Sequence, residues 1–230
     1  MRALLISDIH SSYKVLSAIS GLKRDSGFDL VVFAGDAVDM GEPVGFIEEL
    51  IWTIDESNAP FFWVPGNNDF GRAYHKLVAR YKSLEGRLVD FAGCNFTGVG
   101  GSPASWAGQY QGERSVDKKA IAGSIFISHV PPPGISHYEK FDRNPVSPLE
   151  DTVGNTISQK TNNLTMKQIN NSPIKLSDAP LVHICGHVHH TWGIGYLGST
   201  KVIKLAGAYL GHCAIMDLDT LEVKFERFWK

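Results

Sequence analysis

The chain has 230 residues, 43% of them hydrophobic and 20% charged, which suits one soluble globular domain over 1–230 and excludes a disordered composition. A formal net charge of −2 leaves no basic footprint for gripping a nucleic-acid backbone, so nucleic acid is not an expected partner. The opening run Arg2 to Ile6 is too short before Asp8 for a signal peptide or a membrane span, so no membrane association is expected.

Leu4, Leu5 and Ile6 read as a buried strand that stops at Ser7, Asp8, Ile9 and His10. Val15, Leu16, Ile19 and Leu22 then recur at helical spacing behind Ser11 or Ser12 as a cap, and the helix ends near Gly27. Leu30 to Ala34 is a second apolar strand, closed by Gly35 and Asp36. Pro43 opens a second helix with an apolar stripe of Phe46, Ile47, Leu50, Ile51 and Ile54. Phe61 to Val64 forms a third strand whose aromatic residues are read as core, followed by the exit loop Pro65-Gly66-Asn67-Asn68-Asp69. A third helix is expected to carry Tyr74, Leu77, Val78, Tyr81 and Leu84 on one face. This alternation implies a largely parallel sheet, and ligands of such sheets bind beyond the carboxyl ends of the strands.

Beyond Gly86 the strands shorten, around Leu88, Cys94 to Val99 and Ile125 to Ser128, and a second sheet is expected. Ser128, His129, Val130 and three prolines end the last of these strands. From Pro131 to Pro180 the sequence turns polar, with one short helix expected near Leu164 to Ile169, and reads as a lid or rim over a site. The apolar run Leu181 to Ile184 then leads into Cys185, Gly186, His187, Val188, His189 and His190. On extended backbone, side chains two apart point the same way, so His187 and His189 are expected to aim at one point. Lys201 to Ala206, Ala214 to Leu218 and Glu222 to Trp229 read as antiparallel strands, the last two joined by a turn at Asp219 and Thr220. Cys94, Cys185 and Cys213 lack a CxxC spacing and read as reduced, buried thiols, and a cytoplasmic location is the corresponding expectation.

The strand exits collect Asp8, His10, Asp36, Asn67, His129, His187 and His189. Seven ligands exceed what one ion takes, whereas two ions about 3.5 to 4 Å apart that share a carboxylate use them economically. Imidazole, carboxylate and amide oxygen without thiolate suit Mn best, with Fe or Zn as alternatives.

The blocks Asp8-x-His10, Gly35-Asp36, Gly66-Asn67-x-Asp69, His129 and Gly186-His187-x-His189 together resemble the calcineurin-like metallophosphoesterase superfamily, in its order, over residues 8 to 189. The resemblance implies an α/β fold, a four-layer α-β-β-α sandwich of two mixed β-sheets flanked by helices. It assigns Asp8, His10, Asp36 and His189 to one metal and Asp36, Asn67, His129 and His187 to the other, with Asp36 as the bridge. Asp39 and Asp69 would orient ligands.

One position departs from the family's common pattern, since Asn68 stands where many members carry a histidine that binds phosphate and protonates the leaving group. An amide can donate a hydrogen bond to a phosphate oxygen but cannot act as an acid near neutral pH. Two dications less Asp8 and Asp36 leave a charge of about +2, which a hydroxide and a monoanionic diester would roughly match. The expected function is a dinuclear phosphodiesterase that attacks with metal-activated hydroxide, takes a small phosphate ester and uses Asn68 as a catalytic donor. His137 or His190 could replace the missing acid. The alternatives are a phosphomonoesterase on the same site, a nuclease, and a non-catalytic protein-binding scaffold on the same fold. His183 is read as a core histidine, His75 as exposed, His212 as structural, and Lys118 with Lys119 as a solvated face.

Overall fold

A computed structural model describes residues 1–25, 27–102, 118–132 and 179–229. The first half runs β1 (Arg2–Ile6), α1 (Tyr13–Asp25), β2 (Leu30–Phe33), α2 (Val44–Ser57), β3 (Phe61–Trp63) and α3 (Gly71–Arg80). Then come β4 (Val89–Phe91), β5 (Cys94–Val99), α4 (Lys118–Ile121), β6 (Ile125–Ser128), β7 (Val182–Cys185), β8 (Gly193–Leu197) and β9 (Thr200–Lys204). A 3-10 turn (Ala208–Leu210), β10 (His212–Asp217) and β11 (Val223–Arg227) complete the described chain. The expected short helix at Leu164 to Ile169, most of the expected lid, and His137 lie outside the described residues.

The strands form two mixed sheets, ordered β11-β10-β1-β2-β3 and β4-β5-β6-β7-β9-β8. In the first, β1, β2 and β3 run parallel, β10 pairs antiparallel with β1, and β11 pairs antiparallel with β10. In the second, β5, β6, β7 and β9 run parallel between the antiparallel edges β4 and β8. Period-two alternation divides each strand of the first sheet between two cores. Leu4, Ile6, Val31, Phe33, Phe61 and Trp63 face the apolar stripes of α1, α2 and α3. Ala3, Leu5, Leu30 and Val32 instead meet Phe96, Ile125, Ile127, Val182, Ile184 and Ile203 of the second sheet. Burial on both faces explains why these strands read as unbroken apolar runs. Each fully buried Leu, Ile or Phe contributes roughly 1.5–3 kcal/mol.

Three expectations change. Helix α3 stops at Arg80, because Tyr81 turns extended at φ −127° and its hydroxyl reaches Asp55 Oδ1 at 2.5 Å. The Leu84 N–H then donates to the Trp63 carbonyl, which sends Leu84 into the core between the sheets instead of along the helix. Residues Gly193 to Leu197 form an edge strand that their glycines concealed, since glycine is depleted in strands. The β9 segment does not join β10 and β11 in one antiparallel set, but lies in the second sheet, parallel to β7 and antiparallel to β8. Lys118 and Lys119 open α4, a helical turn that the sequence reading did not include. Among the described residues no helix is long and apolar enough to cross a membrane.

Candidate metal centre

The loops that leave β1 and β2 are laced together by backbone hydrogen bonds. The Asp8 N–H donates to the Gly35 carbonyl at 2.8 Å, and the N–H groups of Ile9 and His10 both donate to the Asp36 carbonyl, at 2.8 and 3.2 Å. This lacing turns the backbone into the left-handed region at Asp8 (φ 54°), His10 (φ 46°) and Asp36 (φ 60°), and His187 adopts the same region at φ 69°. Non-glycine residues avoid it at a cost of about 1–3 kcal/mol, and four such residues at one rim of the sheets mark a built site.

Asp69 ties the exits of β2 and β3 together. Its buried carboxylate accepts from the N–H groups of Asp36 and Ala37, both at 2.8 Å, and from Gly66 at 2.9 Å. Burial and the neighbouring Asp36 carboxylate push its pKa up to about 6. Gly66 is required because a Cβ there would run into the backbone N and the carboxylate of Asp36. Asn68 grips the same carboxylate, its N–H on Asp36 Oδ1 and its side-chain amide on Asp36 Oδ2, both at 2.8 Å.

Two sets of donor atoms result, each within 4.8 Å of one another, namely Asp8, His10, Asp36 and His189, and Asp36, His129 and His187. In the first, His189 Nε2 lies 3.1 Å from His10 Nε2 and 3.2 Å from Asp8 Oδ1. In the second, His129 Nε2 lies 3.1 Å from His187 Nδ1, 3.0 Å from Asn67 Oδ1 and 3.4 Å from Asp36 Oδ2. Asn67 therefore joins the second set, and Asp36 belongs to both. The side chains of Asp8, Asp36 and His129 are essentially inaccessible, whereas His10 and His189 keep part of their surface in solvent.

Hydrogen bonds on the far ring nitrogens fix which nitrogen faces inward. His10 Nδ1 lies 2.5 Å from Asp39 Oδ1, His129 Nδ1 lies 2.7 Å from the Ala34 carbonyl, and His189 Nδ1 lies 3.0 Å from the Tyr209 hydroxyl. A ring that donates from Nδ1 leaves the Nε2 lone pair for a cation. Burial alone would lower the pKa of His10 and His129, but the Asp8 and Asp36 carboxylates outweigh it and hold both near about 9. Burial likewise pushes the Asp8 and Asp36 carboxyls up, and the imidazoles outweigh it, so both are held well below the usual carboxylate range. Asp8 Oδ1 is buried and makes no hydrogen bond among the described residues, since the imidazole of His189, 3.2 Å away, approaches it as a charge neighbour without hydrogen-bond geometry. A buried carboxylate oxygen without a donor is costly unless a cation meets it, and imidazole, carboxylate and amide oxygens are the donors that Mn, Fe or Zn accept.

One expectation about this site changes with the geometry. His187 and His189 do not converge on one point, because the left-handed backbone at His187 breaks the extended conformation on which that reading rests; the two rings face different donor sets, as the family resemblance implied. Asn68 directs its side-chain amide at Asp36 Oδ2, a contact that the sequence reading did not include. Tyr209 was missed, for it is a lone aromatic without a motif. Three other described histidines stand where they were expected. His183 is buried with Nε2 at 2.7 Å from Ser128 Oγ, His75 is exposed on α3, and His212 packs its ring 4.5 Å from that of Trp192. His190 is exposed and outside both donor sets. The cysteines are free thiols, Cys185 and Cys213 buried and Cys94 partly so.

Among proteins of known structure, the chain is similar to a protein from Thermus thermophilus, at 16% identity over 99% of each chain and a TM-score of 0.64. It is also similar to a dimetal phosphatase from Danio rerio, at 12% identity over 100% of this chain and 99% of the other, with a TM-score of 0.54. A phosphodiesterase of archaeal origin shares 16% identity over 99% of each chain, with a TM-score of 0.53. Identities this low establish the shared fold. Among curated proteins none matches the sequence. The sequence profile of the calcineurin-like phosphoesterases matches residues 1–206, a span that holds both sheets' site-bearing strands and all seven ligand candidates. The chain belongs to the calcineurin-like phosphoesterase family.

Proposed function

We propose that the chain is a dinuclear metal-dependent phosphodiesterase. Family membership makes it a metal-dependent phosphoesterase. Asp8, His10, Asp36 and His189 would hold one cation, and Asp36, Asn67, His129 and His187 the other. The observation that carries this reading is the single buried Asp36 carboxylate common to both donor sets. Bound divalent cations supply Lewis acidity and make water a nucleophile near neutral pH. Manganese is the proposed native metal, and a cytoplasmic location is proposed with it, in keeping with cysteines that form no disulfide among the described residues.

The chain's own residues prepare the site in three ways. Asp39, the Ala34 carbonyl and Tyr209 orient His10, His129 and His189 from behind. Asn68 and Asp69 hold the Asp36 segment, the first through the carboxylate and the second through its N–H. The left-handed exits of β1 and β2 aim Asp8 and Asp36 into one space, so little reorganisation remains when substrate arrives.

Charge supports the choice of a diester. Two dications against the ionised Asp8 and Asp36 leave an excess of about +2, and the Asp39 carboxylate beside His10 reduces it further. The Asn68 amide is neutral and already donates to Asp36, so it adds neither a cation for a dianionic monoester nor a proton for a poor leaving group. A monoanionic diester with a good leaving group matches this balance. The test is turnover of a bis-aryl phosphate beside that of the matching monoaryl phosphate, with added Mn2+. Faster hydrolysis of the diester is expected, and faster hydrolysis of the monoester would overturn the preference. Absence of both activities in a sample shown to hold two ions would favour a scaffold instead.

A further inference from the structure

We infer that Tyr209 is the positioning residue of the more exposed metal position, the one formed by Asp8, His10, Asp36 and His189; the inference rests on the proposed metal assignment. Tyr209 contacts three of those four residues by three different means. Its hydroxyl lies 3.0 Å from His189 Nδ1. Its ring stands edge-on to both imidazoles, with centroids 5.3 Å from His10 and 5.2 Å from His189. Its backbone N–H donates to the Asp8 carbonyl at 3.2 Å, next to the bond from the Ala208 N–H to the Ser7 carbonyl at 2.8 Å.

The turn that carries Tyr209 is itself tied to the histidine loop, because the Gly207 N–H donates to the His189 carbonyl at 2.9 Å. Gly207 allows the ring to lie where it does. A Cβ there would come within 2.8 Å of the Tyr209 ring and 3.4 Å of His189 Cβ, which any larger residue would push apart. The exits of β1, β7 and β9 thus meet at one side chain.

The hydrogen-bond logic sets its role. For His189 Nε2 to offer a lone pair toward Asp8 and His10, the proton must sit on Nδ1 and the Tyr209 oxygen must accept it. His10 has a carboxylate in the equivalent place, so the two imidazoles of this position are oriented by partners of unequal strength, one charged and one neutral. The His189 bond is therefore the weaker restraint, and the phenol is its only hydroxyl partner among the bonds described for that ring.

The test uses the full chain and its Tyr209→Phe variant, which keeps the ring and removes the oxygen. Metal-free samples are titrated with Mn2+ by calorimetry. We expect two binding events in the parent and a loss of roughly 10- to 100-fold in affinity at one of them in the variant, with the other unchanged. Activity of the variant is expected to return to within about twofold of the parent at saturating Mn2+, because an orienting residue acts through occupancy. Equal affinities in parent and variant would overturn the inference, as would equal weakening of both events. Activity that stays low at full occupancy would overturn it too, since it would give the phenol a direct chemical part. A parent that binds no Mn2+ would remove the metal assignment itself, a result distinct from all of these.

Discussion

His183 shows how one side chain outside the metal centre sets a limit on pH. It is buried on the face of β7 that turns away from the first sheet, and Nε2 lies 2.7 Å from Ser128 Oγ. That hydroxyl also donates to the Val130 carbonyl at 2.6 Å, so its one proton is used and His183 must be the donor, neutral with hydrogen on Nε2. Burial pushes its pKa down to about 4 from the ordinary 6.5. The unfolded chain binds the proton more readily, so stability is full above pH 6.5 and falls as pH drops toward 4. The loss amounts to roughly 3 kcal/mol at 1.36 kcal/mol per unit. Urea unfolding of the parent and of His183→Leu at pH 7.5 and 4.5 should show a smaller acid loss in the variant, which leaves Ser128 satisfied through Val130. Equal losses would place the acid sensitivity elsewhere.

At the level of elements, the site depends on loops whose own hydrogen bonds are satisfied by one carboxylate. Asp69 accepts the N–H groups of Asp36, Ala37 and Gly66, and so joins the exits of β2 and β3 before any ligand is present. Each buried N–H left without a partner costs about 1–3 kcal/mol. Asp69→Ala is therefore expected to lose about 3 kcal/mol or more in metal-free urea unfolding, and to bind Mn2+ more weakly because Asp36 is no longer fixed. A loss under about 1 kcal/mol would mean that water replaces the carboxylate there. The same element-level accounting explains α3. Its apolar spacing continued to Leu84, but the Trp63 indole donates to the Tyr81 carbonyl at 3.0 Å and the chain leaves the helix at that point.

For the molecule as a whole, metal loading and pH act in opposite directions on the folded state. His10 and His129 have pKa values raised to about 9, so in the metal-free protein their contribution to stability is complete below pH 6.5 and is lost as pH rises through about 9. Each cation must displace one of those protons, and Mn2+ affinity at each position should rise about tenfold per pH unit between neutrality and pH 9. Calorimetry in buffers of different ionisation enthalpy should report close to one proton released per ion. No release would contradict protonated ligands. Apart from β8, α4 and the end of α3, the order of elements, the two sheets, the helix stripes and the seven ligand candidates were legible in the sequence, because unbroken apolar runs ending in polar blocks have few other readings. The edge strand Gly193–Leu197 was hidden, since glycines carry no apolar signal, and so was the place of β9, which β7 and β8 determine from far away in the chain. Sequence by itself determined which residues could bind cations, through their chemistry and their position after strands. Only the tertiary structure decided that the backbone turns left-handed at His187, that Asn68 serves Asp36, and that Tyr209 stands behind His189. The reason is physical, because a left-handed φ and a hydrogen bond between segments are set by neighbours in space, and adjacent letters in a chain carry no record of them.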